Sequence, residues 1–366
     1  MPALNLECPL NGLSFGQISF GVTQWLFKNN YSVNLFPIAN SADLSAYDKA
    51  PEGYENWIRQ AINNAPAKFN KKNPSLKIWH IHNGGHLGLA GCKQNLLTFH
   101  ELDSLTETEV NILNQQEKVF VTSNYSKQVF ENHGVEVPVI YAPMGFDATH
   151  FHPVKKKEFS GNVTTVSVFG KMEQRKHTFR VIKTLVEKFG GNSAYRVNLH
   201  TNNSFFKQEE MLSIYNALFN NQKPWNFTVF GFLPTNSHMN EAFNVCDIVV
   251  DMSGGESISL PSMCCVALGK HAVIHNCTSM KDWANSENAV LVQPSEKIPV
   301  YDGKFFAQGL PFNQGNIFSW KDEDFRLALD AAIDRFKKNP VNEAGFELQN
   351  RYSFDHGMSV IMEAII

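Results

Sequence analysis

At 366 residues, 43% hydrophobic and 18% charged, the chain is too long for one ordinary core and too apolar to be disordered, and it fits two domains of roughly 150–200 residues each. A formal net charge of −3 gives no global attraction to nucleic acid or anionic membrane, so such a partner would need a local basic patch. No apolar run reaches the length of a transmembrane helix, "MPALNLECPLNGLSF" lacks the basic start of a signal peptide, and the six cysteines show no CxxC pair, which together predict a cytoplasmic protein with reduced thiols.

In chain order, "LNLECPL" reads as a strand, "NGLSFGQ" as a glycine loop, "SFGVTQWLFKNN" as a helix and "YSVNLFPI" as the next strand, which makes a βαβ unit and predicts a parallel sheet. The stretch from about 40 to 75 is irregular and polar apart from one amphipathic helix around Trp57. Strands follow in "LKIWHIH", "QNLLTFH", "KVFVTS" and "VPVIYAP", with the helix "NYSKQVFENHG" between the last two, capped at Ser123 or Asn124 and stopped at Gly134. The charged break "HPVKKKEFSGN" at 152–162 reads as a linker.

The alternation then restarts. Strands "TTVSVFG", "YRVNLHT", "NFTVFGF", "DIVVDM", "HAVIHN" and "NAVLVQP" are separated by the helices "HTFRVIKTLVEKFGG", "QEEMLSIYNALFNN", "NSHMNEAFNVC" and "LPSMCCVALG", and two amphipathic helices close the chain. The expected architecture is two Rossmann-like, doubly wound α/β domains facing a central cleft: residues 1–153, residues 154–345, and a carboxyl-terminal helix, 346–366, packing back toward the first domain.

Several residues stand where ligands bind in such sheets. Glu256 of "SGGESISLPSMCC" lies on a strand-to-helix loop, where a carboxylate either caps the helix or holds a ligand's hydroxyls. Gly170 ends a strand, and Lys171, Arg175 and Lys176 follow it. Such a run is either a solvated loop or the source of two cations able to neutralise a diphosphate. "WHIHNGGHLG" supplies His80, His82 and His86, which read as a polar cleft loop because no further metal ligand is evident. The acidic "DED" at 322–324 begins a helix and reads as a cap, so no metal is expected. "KFNKKNPSLK" at 68–77 and "KKK" at 155–157 are basic strips near the expected cleft.

The phrases "YAPMGFDATHFHP", "VFGKMEQRKHTFRVIKTL" and "CDIVVDMSGGESISLPSMCCVALGKHAVI", in that order and spacing, resemble the retaining glycosyltransferases of family 4, which have the GT-B fold. The first phrase, with Pro143, Gly145, Asp147, Phe151 and Pro153, reads mainly as a turn. The resemblance implies that Lys171 and Lys176 bind the diphosphate of a nucleotide-sugar donor, with Lys171 standing where the family usually has Arg. It implies that Glu256 holds the donor sugar, and that His100 faces the reacting centre from the acceptor side. Gly12, Gly16 and Gly170 fall where backbone approaches the donor or the acceptor, and Ser257, Ile258, Ser259 and Leu260 replace the usual glycine-rich segment that presents amides to phosphate. The family's second glutamate, which holds the ribose, falls on Cys264. A thiol is a poor acceptor there, and the main chain or Ser262 would have to serve instead.

What the resemblance implies is a retaining hexosyl- or pentosyltransferase without metal or other cofactor, its nucleotide-sugar being a substrate. The acceptor would be a surface glycan, a glycolipid or a small metabolite, with a modified base in DNA as a less ordinary choice. The location is cytoplasmic, with peripheral contact to a membrane left open. A noncatalytic relative that binds a nucleotide-sugar or a glycan is the opposing reading.

Overall fold

The structure is a computed structural model and describes residues 3–83, 93–154 and 163–366. Its first half runs β1 (Leu4–Leu10), α1 (Ser14–Lys28), β2 (Val33–Ala42), α2 (Tyr54–Lys68), β3 (Ser75–Ile78), β4 (Gln94–Thr98), α3 (Glu107–Asn114), β5 (Lys118–Val121), α4 (Asn124–Asn132) and β6 (Val139–Tyr141). The second half begins with β7 (Thr164–Phe169), α5 (Thr178–Phe189), β8 (Tyr195–His200), α6 (Gln208–Leu218), β9 (Phe227–Val229), α7 (Asn236–Val245), β10 (Ile248–Asp251) and α8 (Leu260–Ala267). It continues with β11 (His271–His275), α9 (Met280–Trp283), β12 (Val290–Val292), β13 (Glu296–Pro299), β14 (Asn316–Ser319), α10 (Asp322–Lys338), α11 (Glu347–Arg351) and α12 (Phe354–Ile365).

Two parallel sheets result, in the orders β2-β1-β3-β4-β5-β6 and β12-β11-β10-β7-β8-β9. Strands covered by helices on both faces must be apolar nearly throughout, and β10 shows it: the consecutive Ile248, Val249 and Val250 are all buried. The second order is that of a dinucleotide-binding sheet, with its switch point between β7 and β10. Each sheet has its own core, one around Leu6, Phe20 and Tyr54 and the other around Val166, Leu199 and Val250.

Three features depart from the expected elements. Helix α1 begins at Ser14, so part of the "glycine loop" is its first turn. Helix α3 had not been expected, although Thr106 and Glu109 form a complete capping box at its start. The third is a clasp. Strands β13 and β14 pair antiparallel, and the loop between them reaches the first domain. Lys297 Nζ lies 2.9 Å from Asp103, Asn316 N–H donates to Asp103 at 2.7 Å, Ser104 donates to the Gln314 carbonyl at 2.8 Å and Thr106 to that of Pro311 at 2.6 Å. Leu102 packs among Val300, Phe306 and Ile317 in a small core of its own.

Helix α12 crosses the other way. Met358, Ile361 and Met362 belong to the core of the first domain, and Phe354 lies directly on Gly21 of α1, where an added Cβ would come within 2.1 Å of the ring. Gly21→Ala is therefore expected to cost about 1–3 kcal/mol by overpacking, despite alanine's better helix propensity. Urea titration checks this, and Phe354→Leu in the same chain should recover part of the loss.

Candidate active site

Both sheets point their carboxyl ends at one cavity of about 510 Å³. Its first-domain wall comes from the segments after β1, β3 and β4: Asn11 to Phe15, Gln17, Trp79, His80, Phe99 and Glu101. The facing wall comes from the segments after β7, β8, β9 and β10, including Gly170, Lys171, Arg175, Lys176, Phe205, Phe232 and Glu256. This is where open α/β sheets bind ligands, doubled by two sheets facing each other.

The loop carrying Glu256 is fixed from below. Asp251, at the end of β10, accepts the hydroxyls of Ser259 and Ser262, the latter at 2.8 Å, and the Ser253 amide at 3.1 Å. Ser259 is thereby held in the left-handed region, at φ 55°, as α8 begins. The preceding glycines have a steric reason: a Cβ on Gly255 would fall 2.4 Å from the Glu101 carbonyl oxygen, and one on Gly254 2.5 Å from that of Phe318. Only glycine lets the first domain and the clasp approach this loop so closely.

Glu256 is buried, and its Oε1 accepts from Lys176, from Arg175 at 3.1 Å and from Ser253 at 2.8 Å. Burial alone would raise its carboxyl. The two cations and the serine prevail and hold it down at about 2. Gly170, at φ 125°, makes room for the Lys176 stem, since a Cβ there would lie 3.1 Å from Lys176 Cδ. Lys171 stands at the mouth, 3.6 Å from Glu173 and over the rings of Phe205 and Phe305.

Arg175, given no role of its own by the sequence, is the most buried cation of the site. It pairs with Glu173 at 3.0 Å, with Glu256, and across the domains with Glu101 at 3.9 Å, and it donates to the Gly255 carbonyl. The run KxxxRK marked three cations. Which of them lies inside depends on carboxylates from three separate segments, and no local signal shows that.

Of the residues singled out by sequence, Gly12, Gly170, Lys171, Lys176, Glu256, Ser257, Ile258, Ser259, Leu260 and Cys264 line the cavity. Two do not. Gly16 is inside α1 and serves packing, since its Cβ would fall 2.0 Å from the Asn11 carbonyl oxygen. His100 lies behind the wall, its ring edge-on to Phe130 at 5.4 Å and its Nε2 buried without a partner, so burial lowers its pKa. Its neighbours Phe99 and Glu101 face the cavity instead, because side chains past the end of β4 still alternate.

The side chains of Ser257 and Ser259 are committed to Thr122 and Asp251, which leaves main-chain amides as what this loop can offer a ligand. Ser262 is bonded to Asp251 and fully buried, so it is not available to a ribose. Cys264 keeps a neutral thiol, raised by burial, 4.0 Å from the Gly145 carbonyl. His80 and His82 stack at 5.1 Å, and Phe312 of the clasp stacks on His82. His86 and the strip at 155–157 lie outside the described residues. The strip at 68–77 runs from the end of α2 to the amino side of β3, the opposite edge of the sheet from the cavity, and its Lys77 is buried against Glu7 at 3.4 Å. It is not a rim of the cleft. No helix among the described residues is long and apolar enough to cross a membrane.

No protein-family model and no curated protein matches the sequence. Solved structures do match it in three dimensions. Sucrose-phosphate synthase from Thermosynechococcus elongatus is 13% identical, with a TM-score of 0.69 over 100% of this chain and 98% of that one. HepE from Anabaena, solved with UDP and glucose, is 14% identical, with a TM-score of 0.63 over 100% and 99%. A glycosyltransferase from Rickettsia africae is 11% identical, with a TM-score of 0.69 over 100% and 97%. With two six-stranded parallel sheets opening on a shared cleft, and full-length likeness to these proteins, the chain has the GT-B fold.

Proposed function

We propose that the protein is a retaining glycosyltransferase of the family 4 kind, moving a sugar from a nucleotide-sugar to an acceptor hydroxyl. The observation that carries this is the meeting of Lys176, Arg175 and Glu256 at the mouth of the β7/β10 switch point. The cations suit a diphosphate whose charge grows as its bond to the sugar breaks, so they stabilise the transition state more than the ground state. Glu256 takes its three bonds on Oε1, and Oε2 is left for a sugar hydroxyl. A carboxylate held by two cations is a poor nucleophile. That favours front-face attack, in which the departing phosphate receives the acceptor's proton. HepE was solved with UDP and glucose, which supports the same class of donor here.

Two measurements test the reading. Wild-type protein with UDP-glucose and related donors, without acceptor, should slowly release nucleoside diphosphate; tight binding of every donor tried with no release would favour a noncatalytic binder. Glu256→Gln should lower turnover roughly 10- to 100-fold, the worth of a hydrogen bond to a charged group. Affinity for the free nucleoside diphosphate should hold or rise, because Lys176 and Arg175 lose a competing anion. Equal losses of nucleotide and nucleotide-sugar affinity would instead make Glu256 a purely structural residue.

A further inference from the structure

We infer that the acceptor is an uncharged sugar, seated with one ring face on the aromatic wall of the first domain and with its reacting hydroxyl received by Glu101. This rests on the glycosyl-transfer reading above and adds to it the chemical class of the second substrate.

The wall is built from three strand ends. Phe15 lies with its ring centroid 5.3 Å from Trp79, 4.5 Å from His80 and 4.4 Å from Phe99. Phe15 is buried beneath the others, while Trp79 and Phe99 stay half-buried and His80 is exposed, all lining the cavity. Rings placed only to fill a core would be covered on both faces. These leave apolar area open inside the cleft, as pockets that grip the apolar face of a ligand do.

Charge narrows the ligand. The first-domain lining contains Glu101 and Asp147, and no Lys or Arg among the described residues. The three cations of the cavity belong to the second domain, and each is paired with a carboxylate. The amino end of α1 also reaches this wall, which is why phosphorylated sugars stand among the competitors in the test below. A phosphorylated sugar, a lipid phosphate or a nucleic-acid strand would therefore meet, on the described part of this wall, two carboxylates and no cation. A pyranose, with its C–H face and neutral hydroxyls, meets complementary surfaces.

Glu101 places the hydroxyl. Its side chain is one-third exposed, and its Oε1 is 3.9 Å from Arg175 Nη2, a distance that leaves the carboxylate free to accept from a ligand. The same guanidinium holds Glu256 at 3.1 Å. The two carboxylates thus stand on either side of one cation, Glu101 from the acceptor wall and Glu256 from the donor loop. In the transfer, the hydroxyl oxygen bonds to the donor's anomeric carbon as the bond from that carbon to the diphosphate breaks. The electron pair leaves with the diphosphate, which also takes the hydroxyl proton.

Saturation-transfer NMR on the full chain tests this, using methyl glycosides of glucose, galactose, mannose and N-acetylglucosamine beside their 6-phosphates, a single-stranded oligonucleotide and anionic phospholipid vesicles. At least one methyl glycoside should bind through its ring protons, about tenfold or more tighter than its phosphate. Trp79→Ala should abolish that binding and Trp79→Phe should restore it. Glu101→Gln should weaken it, while UDP affinity, followed by calorimetry on the same samples, should hold or rise because Arg175 loses a neighbouring anion. Preference for the phosphate, the oligonucleotide or the vesicle, no binding of any glycoside, or indifference to Trp79→Ala would each overturn the inference. Because UDP binding is read separately, its persistence in those cases leaves the donor reading standing, whereas its absence from the wild type removes that reading itself.

Discussion

Replacing Arg175 by alanine is expected to destabilise the protein by about 3–5 kcal/mol, the cost of removing one partner from a buried ion pair. The guanidinium is buried and closes on Glu173, Glu256 and the Gly255 carbonyl. Its three carboxylate neighbours raise its pKa further, against the opposing effect of burial. Without it, Glu173 keeps only Lys171 at 3.6 Å and must hold its charge in a site where water cannot replace the lost donors. A loss of that size is a large share of the 5–15 kcal/mol that holds an ordinary domain together. Urea titration should show a lower midpoint, and adding Glu173→Gln should return part of the loss, since the two changes share one network. Were Arg175→Ala to cost under about 1 kcal/mol, the carboxylates would be better solvated than their burial indicates. Arg175→Lys should fall between, because an ammonium cannot reproduce the planar fork.

The second large effect is acid sensitivity. His177 and His275 are buried, and burial pushes both down to about 4 from an ordinary value of 6.5. Their hydrogen bonds to the carbonyls of Phe318 and Ser253, at 2.8 and 2.9 Å, only partly oppose this. A group whose folded value is depressed takes its proton more readily when unfolded. Its stability is complete above 6.5 and is lost as pH falls through 6.5 toward 4. At pH 5 each histidine should have cost about 2 kcal/mol, by linkage. The depressed pKa of Glu256 adds a further loss below its ordinary 4.5. Melting temperature should therefore fall steeply between pH 6.5 and 4, and His275→Gln should flatten the slope. Unchanged melting from pH 7 to 4.5 would show that these rings reach water in the folded state.

The sheets were legible in the sequence because parallel strands covered on both faces must be apolar almost without interruption. The start of α1 was not. Glycines read as a loop, yet Gly16 lies within α1, and it is glycine because a Cβ there would strike the Asn11 carbonyl. The clasp lacks a hydrophobic period, and its hydrogen bonds to the first domain run to residues about two hundred positions away. The strand-to-loop positions of Glu256 and of the lysines could be read locally, since each follows an apolar run. On the acceptor side, a single step past the strand end separates His100 from Glu101, and the direction each takes depends on the packing of Phe130. Burial of Arg175 depends on Glu101, Glu173 and Glu256 arriving from different elements.

The clasp also bears on how tightly this cleft can hold a ligand. Two domains joined by a linker alone lose relative freedom when a molecule bridges them, and that ordering is subtracted from affinity. Here β13, β14 and their loop grip the first domain through Asp103, Ser104 and Thr106, while α12 ties the chain's end into the same core. Folding has already brought the walls into register. A bridging substrate thus meets a preorganised site, where each half of the cleft stands at high effective concentration with respect to the other.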